Sequence, residues 1–104
     1  MEILTRREKD ELPRLYAQEG DPDPVAWLHF FSPLGRGDWF ITEGQDDGPG
    51  RFLMFGLCDL GFPEMGYVTL EELEDVMLPG GLGIERDLHW TPRRLSQVRR
   101  ERGI

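Results

Sequence analysis

The sequence predicts an α+β domain with a single antiparallel sheet of about five short strands. The stretch Arg51–Glu74 reads as strand, turn, strand and helix, and its first strand is apolar on both faces. Such a strand belongs inside a sheet with both of its faces covered. Thirteen glycines and eight prolines in 104 residues indicate short elements joined by turns. This length is that of one domain, spanning residues 1–104, with one core.

The N-terminal helix is predicted from Arg6 to about Leu12. Thr5 and Glu8 have the spacing of a capping box, and Pro13 ends the helix because the residue before a proline avoids the helical conformation. An apolar stripe with helical spacing is expected to dock this segment onto the sheet. The stripe consists of Leu12, Leu15 and Tyr16.

The strands are predicted from β-branched and aromatic runs between turn-rich segments. Val25–Phe31 and Asp38–Thr42 are expected to pair antiparallel, and Arg51–Leu60 is followed by a short strand at Met65–Val68. Ile84–Trp90 alternates apolar and polar residues, which is typical of a half-solvated edge strand.

Two further helices complete the prediction. Thr69 and Glu72 form a second capping box, which indicates a helix over about residues 70–78 that the glycines after Pro79 terminate. Thr91–Pro92 is a helix start, and the last helix is predicted over Pro92–Arg102.

Charge is distributed unevenly along the chain. Residues 1–82 hold 6 basic and 17 acidic side chains, a net charge of −11, whereas residues 83–104 hold 6 basic and 3 acidic side chains, a net charge of +3. Most of the chain therefore repels phosphate and suits a basic protein partner or imitation of a nucleic-acid backbone.

The single cysteine cannot form an internal disulfide, and the N-terminus carries no signal-length apolar run. No stretch reaches the roughly 18 apolar residues of a membrane span. We therefore expect a cytoplasmic protein without membrane association.

Catalytic chemistry is poorly supported by the residue pattern. A nucleophilic Cys58 would need His29 or His89 and an electropositive site, but it lies in an apolar strand before Asp59. Carboxylate pairs around Glu19, Glu43 or Glu64 lack any distinguishing spacing. These groups leave a small hydrolase open as an alternative.

Metal and cofactor motifs are also missing from the sequence. The two histidines show no ligand spacing, and the aspartates of the turns lack the length and glycine placement of a calcium loop. No dinucleotide or phosphate-loop pattern occurs. We expect neither a metal nor a cofactor.

A protein-binding surface is the leading prediction. Its contacts are expected on an acidic rim around two turns together with one exposed aromatic side chain, with association that weakens at high salt. The predicted contact residues are Asp21, Asp23, Glu43, Asp46, Asp47 and Trp39.

The alternative is a nucleic-acid-binding accessory factor that uses the basic C-terminal helix. Its residues would be Arg93, Arg94, Arg99, Arg100 and Arg102. Arginines also favour helix C-termini without binding anything, because the helix dipole stabilises cations there.

Several short motifs in a fixed order resemble the DUF2958 family, a domain of unknown function found mostly on bacterial mobile elements and plasmids. They include LPRLYAQEG from Leu12, HFFSP from His29, WFITEG from Trp39, EMGYVTLEEL from Glu64 and IERDLHW from Ile84. The resemblance covers about residues 12–98. It implies a small α+β domain carried by transferable DNA, with no catalytic set or cofactor to transfer.

The combined prediction is a non-enzymatic protein-binding module from a mobile genetic element. The acidic body suggests an inhibitor of a host CRISPR or restriction complex that occupies a nucleic-acid-binding surface.

Overall fold

A computed structural model describes residues 2–104 of the chain. The strands are β1 (Val25–Ala26), β2 (Leu28–Phe31), β3 (Asp38–Asp46), β4 (Phe52–Asp59), β5 (Pro63–Thr69), β6 (Glu85–Arg86) and β7 (Arg93–Arg94). The helices are α1 (Arg6–Glu11), α2 (Leu70–Glu74) and α3 (Leu95–Arg102), with a 3₁₀ turn at Pro79–Gly81. The described part of the chain is thus α+β, as predicted.

The strands form two sheets, which corrects the prediction of a single sheet. Five antiparallel strands lie in the order β5-β4-β3-β2-β6, and β1 pairs separately with β7. The predicted strand Val25–Phe31 is interrupted at Trp27, so its first two residues pair with Arg93–Arg94 instead of β3. This pairing holds the two arginines extended, and α3 therefore begins at Leu95 rather than at Pro92.

The starts of α1 and α2 are predicted more accurately than the lengths of the elements. Both capping boxes are present, at Thr5 with Glu8 and at Thr69 with Glu72. However, α2 ends at Glu74 and not near residue 78, and Met77, which the predicted helix includes, is exposed. The strand predicted over residues 84–90 contains only Glu85–Arg86, although it does lie at a sheet edge.

The two faces of the large sheet are covered to different extents. The inner face packs against α2 and the segments beside α1. Its buried residues include Phe30, Ile41, Phe52 and Met54, which pack with Leu70 of α2. The outer face is covered by α3 over a smaller cluster of Ala26, Phe40, Leu57, Leu95 and Val98. An uncovered area therefore remains on the outer face beside α3.

Strand β4 lies inside the sheet between β3 and β5, as predicted. Its outer face is not fully covered, which corrects the expectation of two buried faces. Leu57 is buried beneath α3, but Leu53 and Phe55 are only half-buried. The apolar side chains of this strand thus serve both the core and an open surface.

A β-bulge in β3 shapes the sheet next to this open surface. The register with β4 shifts between Ile41 and Glu43, so Thr42 is the additional residue. The bulged backbone lies close to Gly56, where a Cβ atom would be 2.1 Å from the Phe40 carbonyl oxygen. Only glycine fits at this position because no larger residue leaves room for the neighbouring strand.

No helix within residues 2–104 is long and apolar enough to cross a membrane.

Candidate partner-binding cleft

An open cleft of about 690 Å³ lies on the outer face of the large sheet. It is bounded by β5, by α3 and by the segment from Tyr16 to Pro24. We call it the outer cleft. Its lining includes Tyr16, Glu19, Thr42, Glu43, Phe55, Met65, Tyr67, Leu95 and Arg99.

The floor of the outer cleft is aromatic and apolar. Phe55 of β4 and Tyr67 of β5 are register partners, and their ring centroids lie 4.8 Å apart at an interplanar angle of 52°. Met65 lies on the same face of β5, two residues before Tyr67. These side chains stay accessible, with Met65 39% and Tyr67 52% exposed, because α3 covers the sheet only over Leu57 and its neighbours.

Tyr16 forms a wall of the outer cleft in a conformation that is unusual for its residue type. Its φ of 70° lies in the left-handed region, which bulky residues rarely occupy. Its side chain is 62% exposed, and its hydroxyl oxygen lies 3.4 Å from that of Tyr67. The chain therefore holds an aromatic ring at the cleft despite a backbone that favours glycine.

Glu43 holds the Tyr16 backbone in place. The carboxylate accepts hydrogen bonds from the backbone N–H of Tyr16 at 2.9 Å and of Gln18 at 2.7 Å. The Gln18 side chain extends the anchor, because its amide donates to the Thr42 carbonyl at 2.8 Å. The strand bulge and the loop are thus locked together at the edge of the cleft.

The electrostatic environment of the tyrosine pair is negative. The pKa of Tyr67 is raised by its hydrogen bond with Tyr16, by desolvation and by the negative charges of Glu43 and Glu19. Both neighbouring charges disfavour a phenolate and would favour a bound cation. Arg99 supplies positive charge on the α3 side of the cleft.

The predicted acidic rim is not one continuous surface. Asp21 lies at the outer cleft, where it pairs with Arg94 at 3.2 Å. The two aspartates at the end of β3 form ion pairs away from the cleft. Asp46 pairs with Arg6 at 2.9 Å, and Asp47 pairs with Arg51 at 3.3 Å. These arginine partners offset the negative charge that the sequence prediction had left exposed.

Asp23 caps α3 from a distant part of the chain. Its carboxylate accepts the backbone N–H of Ser96 at 2.8 Å and the Ser96 hydroxyl at 2.6 Å. These hydrogen bonds lower the pKa of Asp23, despite some opposing desolvation. The Asp23 carboxylate therefore stabilises the helix that forms one side of the cleft.

Two predicted contact residues are buried, which corrects the expectation that they lie on the surface. Trp39 is 8% exposed and packs in the inner core, because its position in β3 faces the same side as Ile41. Glu43 is 5% exposed, with its carboxylate turned toward the loop that it anchors.

Three of the five C-terminal arginines are engaged within the fold. Arg93 lies 3.8 Å from the Trp90 ring centre and pairs with Glu101, and Arg94 pairs with Asp21. Arg102 pairs with Asp38 at 3.3 Å. Within residues 2–104, Arg99 and Arg100 are the members of this set that make no ion pair, and carboxylates offset part of the positive charge of the other three.

Cys58 and His29 lie on opposite faces of the sheet. Cys58 packs against the inner core, whereas the His29 ring stacks on Phe40 of the outer cluster at 4.6 Å. Burial and the nearby Glu64 carboxylate raise the pKa of the Cys58 thiol, which disfavours a nucleophilic thiolate. His89, the other candidate base, is exposed and makes no contact with the thiol in the described structure.

The buried His29 ring instead links the start of β3 to the segment that follows β6, through two partly exposed carboxylates. Its Nε2 lies 2.7 Å from Asp38 and its Nδ1 lies 3.0 Å from Asp87. Both ring nitrogens are therefore occupied by carboxylates, which suits structural cross-linking. Within residues 2–104, no group of three or more His, Cys, Asp or Glu side chains is arranged to hold a metal ion.

The comparisons with known proteins yield one match. A family model described as "Protein of unknown function (DUF2958)" matches residues 3–100. The chain belongs to the DUF2958 family. The match extends beyond the resemblance seen over residues 12–98 and includes the N-terminal helix. No curated protein matches the chain, and no solved structure does.

The sequence prediction missed the aromatic side chains of the outer cleft. Helical spacing predicts that Tyr16 docks onto the sheet with Leu12 and Leu15, and the apolar run predicts that Phe55 lies in a strand covered on both faces. Met65 and Tyr67 carried a usable signal, because alternate apolar residues beside Glu64 and Gly66 are typical of a strand with one exposed face. Which side of the sheet α3 covers could not be read from that alternation.

Proposed function

We propose that this DUF2958 protein is a non-enzymatic protein-binding module that takes a basic side chain of its partner into the outer cleft. The observation that carries this proposal is the exposed pair of tyrosines beside Glu19 and Glu43. A lysine or arginine head group is attracted to the faces of aromatic rings and to carboxylates. The outer cleft combines both features in one accessible site.

The apolar floor adds to this attraction. Phe55 and Met65 offer surface for the aliphatic stem of a lysine or arginine. The exposed carboxylate of Glu19 can approach the head group, whereas Glu43 is buried and contributes only the negative charge near Tyr67. Aromatic residues are enriched at protein interfaces because they combine a large contact area with a polar group. The cleft therefore suits a protein side chain better than a small anion.

The proposed partner class is a nucleic-acid-binding complex of host defence, with the chain acting as an inhibitor encoded by a mobile genetic element. Surfaces that bind nucleic acids are rich in the arginines and lysines that this cleft would accept. The cleft and the net charge of −8 support this partner. The predicted acidic rim does not, because its aspartates pair with arginines or cap α3.

A short extended peptide of alternating valine and threonine around a central arginine tests the proposal. Its affinity is measured by fluorescence anisotropy and compared with the same peptide carrying a central glutamate. We expect the arginine peptide to bind about fivefold to thirtyfold more tightly, since a cation–π contact with a nearby carboxylate contributes on the order of 1–2 kcal/mol.

Two variants locate the binding. Tyr67→Ala removes half of the tyrosine pair and is expected to weaken arginine-peptide binding by about tenfold. Phe62→Ala is the matched control, because Phe62 is 77% exposed but does not line the cleft. Equal affinity for the arginine and glutamate peptides, or no binding of either, would contradict the proposal.

A further inference from the structure

We infer that the partner binds as an extended segment that adds a strand to the free edge of β5, so that one of its basic side chains enters the outer cleft. This inference rests on the proposed function and specifies the backbone geometry of the interaction. It identifies the partner's binding element as a basic, extended peptide segment.

The edge of β5 is unoccupied within the described part of the chain. β5 is the outermost strand on one side of the large sheet and pairs only with β4. The pairing is continuous from the register partners Asp59 and Pro63 to the register partners Leu53 and Thr69. A strand at a sheet edge directs alternate N–H and C=O groups outward, where they can pair with another chain. Residues 64–67 of this strand are accessible, and Gly66 has open space where a Cβ would lie.

Most of the usual protections of an edge strand are absent from β5, whose one charged residue is Glu64. Its pairing with β4 has no bulge, it contains no lysine, and its one proline, Pro63, is at the first position. The opposite edge of the same sheet differs, because β6 contains only two residues. A short edge strand is itself a protection against pairing, so the two edges are not equivalent.

The outer cleft and the β5 edge form one continuous site. Met65 and Tyr67 belong to both, since their side chains line the cleft and their backbone forms the edge. An added strand would lie about 4.8 Å from β5, and every second side chain would project to the cleft face. A basic residue at such a position would lie next to Tyr67.

Charge selects the occupant. Glu64 lies on the edge strand, and Glu43 and Glu19 influence Tyr67 from the cleft. A second copy of the chain would also offer a β5 edge, but each copy carries a net charge of −8 and the same glutamate. A basic segment of another protein complements this charge, whereas self-pairing brings like charges together.

Backbone methylation of the arginine peptide tests the strand addition. Two peptides are made: one carries N-methyl groups on the odd-numbered residues and the other on the even-numbered residues. Each peptide therefore loses the N–H donors on one side of the extended strand and keeps those on the other side. Strand addition predicts that one frame loses at least about tenfold in affinity and the other stays within about twofold.

Hydrogen exchange of the backbone amides provides the second readout. Addition of the unmodified arginine peptide is expected to slow exchange at alternate amides of residues 64–68, with no comparable effect in β6. The inference is overturned if both methylated peptides bind like the unmodified one and exchange in β5 is unchanged. If the unmodified arginine peptide does not bind, the proposed function itself is refuted.

Self-association is a third outcome and would also overturn the inference. It would appear as a concentration-dependent dimer in sedimentation, with β5 amides protected in the absence of peptide.

Discussion

Tyr16 lines the cleft although its backbone conformation is strained for a tyrosine. Its left-handed φ of 70° suits glycine, yet the residue present is a tyrosine that contacts Tyr67. Strained backbone of this kind tends to persist at functional sites, where the surrounding structure holds it. Here the holding contacts are the hydrogen bonds from the loop to Glu43.

Tyr16→Gly is expected to separate binding from stability. Glycine adopts the left-handed conformation without strain but gains entropy in the unfolded chain, so the free energy of unfolding should change by less than about 1 kcal/mol. Arginine-peptide binding should fall by about tenfold because the tyrosine wall is lost. Urea unfolding and anisotropy measure the two effects, and a variant that binds normally would place the site elsewhere.

The residue-level prediction from sequence failed at Tyr16 for a physical reason. Leu12, Leu15 and Tyr16 have helical spacing, but α1 ends at Glu11 because Pro13 makes Leu12 extended. The conformation of the loop beyond it depends on Glu43, which is 27 residues away. No local pattern indicates such a long-range anchor.

At the scale of elements, the close approach of β3 and β4 depends on Gly56. Gly56→Ala would place a methyl carbon 2.1 Å from the Phe40 carbonyl oxygen and 2.9 Å from the Ile41 Cα atom. Because both obstacles are backbone atoms of the bulged strand, we expect a loss of about 3 kcal/mol or more in the free energy of unfolding.

Gly66→Ala is the control for this substitution. Gly66 is the register partner of Gly56 on β5 and has no atom within 4 Å of its Cβ position. Its free energy of unfolding should stay within about 0.5 kcal/mol of the parent value. Similar losses in both variants would contradict the bulge geometry described for β3.

The starts of α1 and α2 were predictable because they depend on local capping chemistry. The two capping boxes and the interior position of β4 follow from spacing and from apolar alternation. The separate β1–β7 sheet was not predictable, because it pairs residues about 70 positions apart through two-residue strands. The predicted acidic contacts of Asp21 and Asp46 failed for the same reason, since their arginine partners lie 73 and 40 residues away in the chain.

At the scale of the whole molecule, paired carboxylates predict the response of stability to acid. Hydrogen bonds from Ser96 lower the pKa of Asp23, and for Asp87 the hydrogen bonds from His29 and the His89 N–H outweigh a rise caused by burial. A pKa that is lower in the folded state gives stability above the ordinary value of about 4 and loses it as pH falls through the lowered value. The carboxyl groups with lowered pKa are Glu8, Asp23, Asp46, Asp87 and Glu101.

We therefore expect the melting temperature to fall as pH decreases below about 4. Asp23→Asn should melt at a lower temperature than the parent protein at pH 7 and should show a smaller further decrease in acid. Thermal unfolding followed by circular dichroism measures both. A parent melting temperature that stays constant into strong acid would contradict the role assigned to these carboxylates.

The negative charge of the molecule and the open outer cleft together define where a basic partner would bind. Titration of isotope-labelled protein with the arginine peptide, followed by amide chemical shifts, locates that site directly. Binding at the outer cleft predicts shift changes concentrated at Tyr16, Glu43, Phe55 and residues 64–68. Changes concentrated at Asp46–Asp47, or at Arg93 and Arg102, which do not line the cleft, would contradict it.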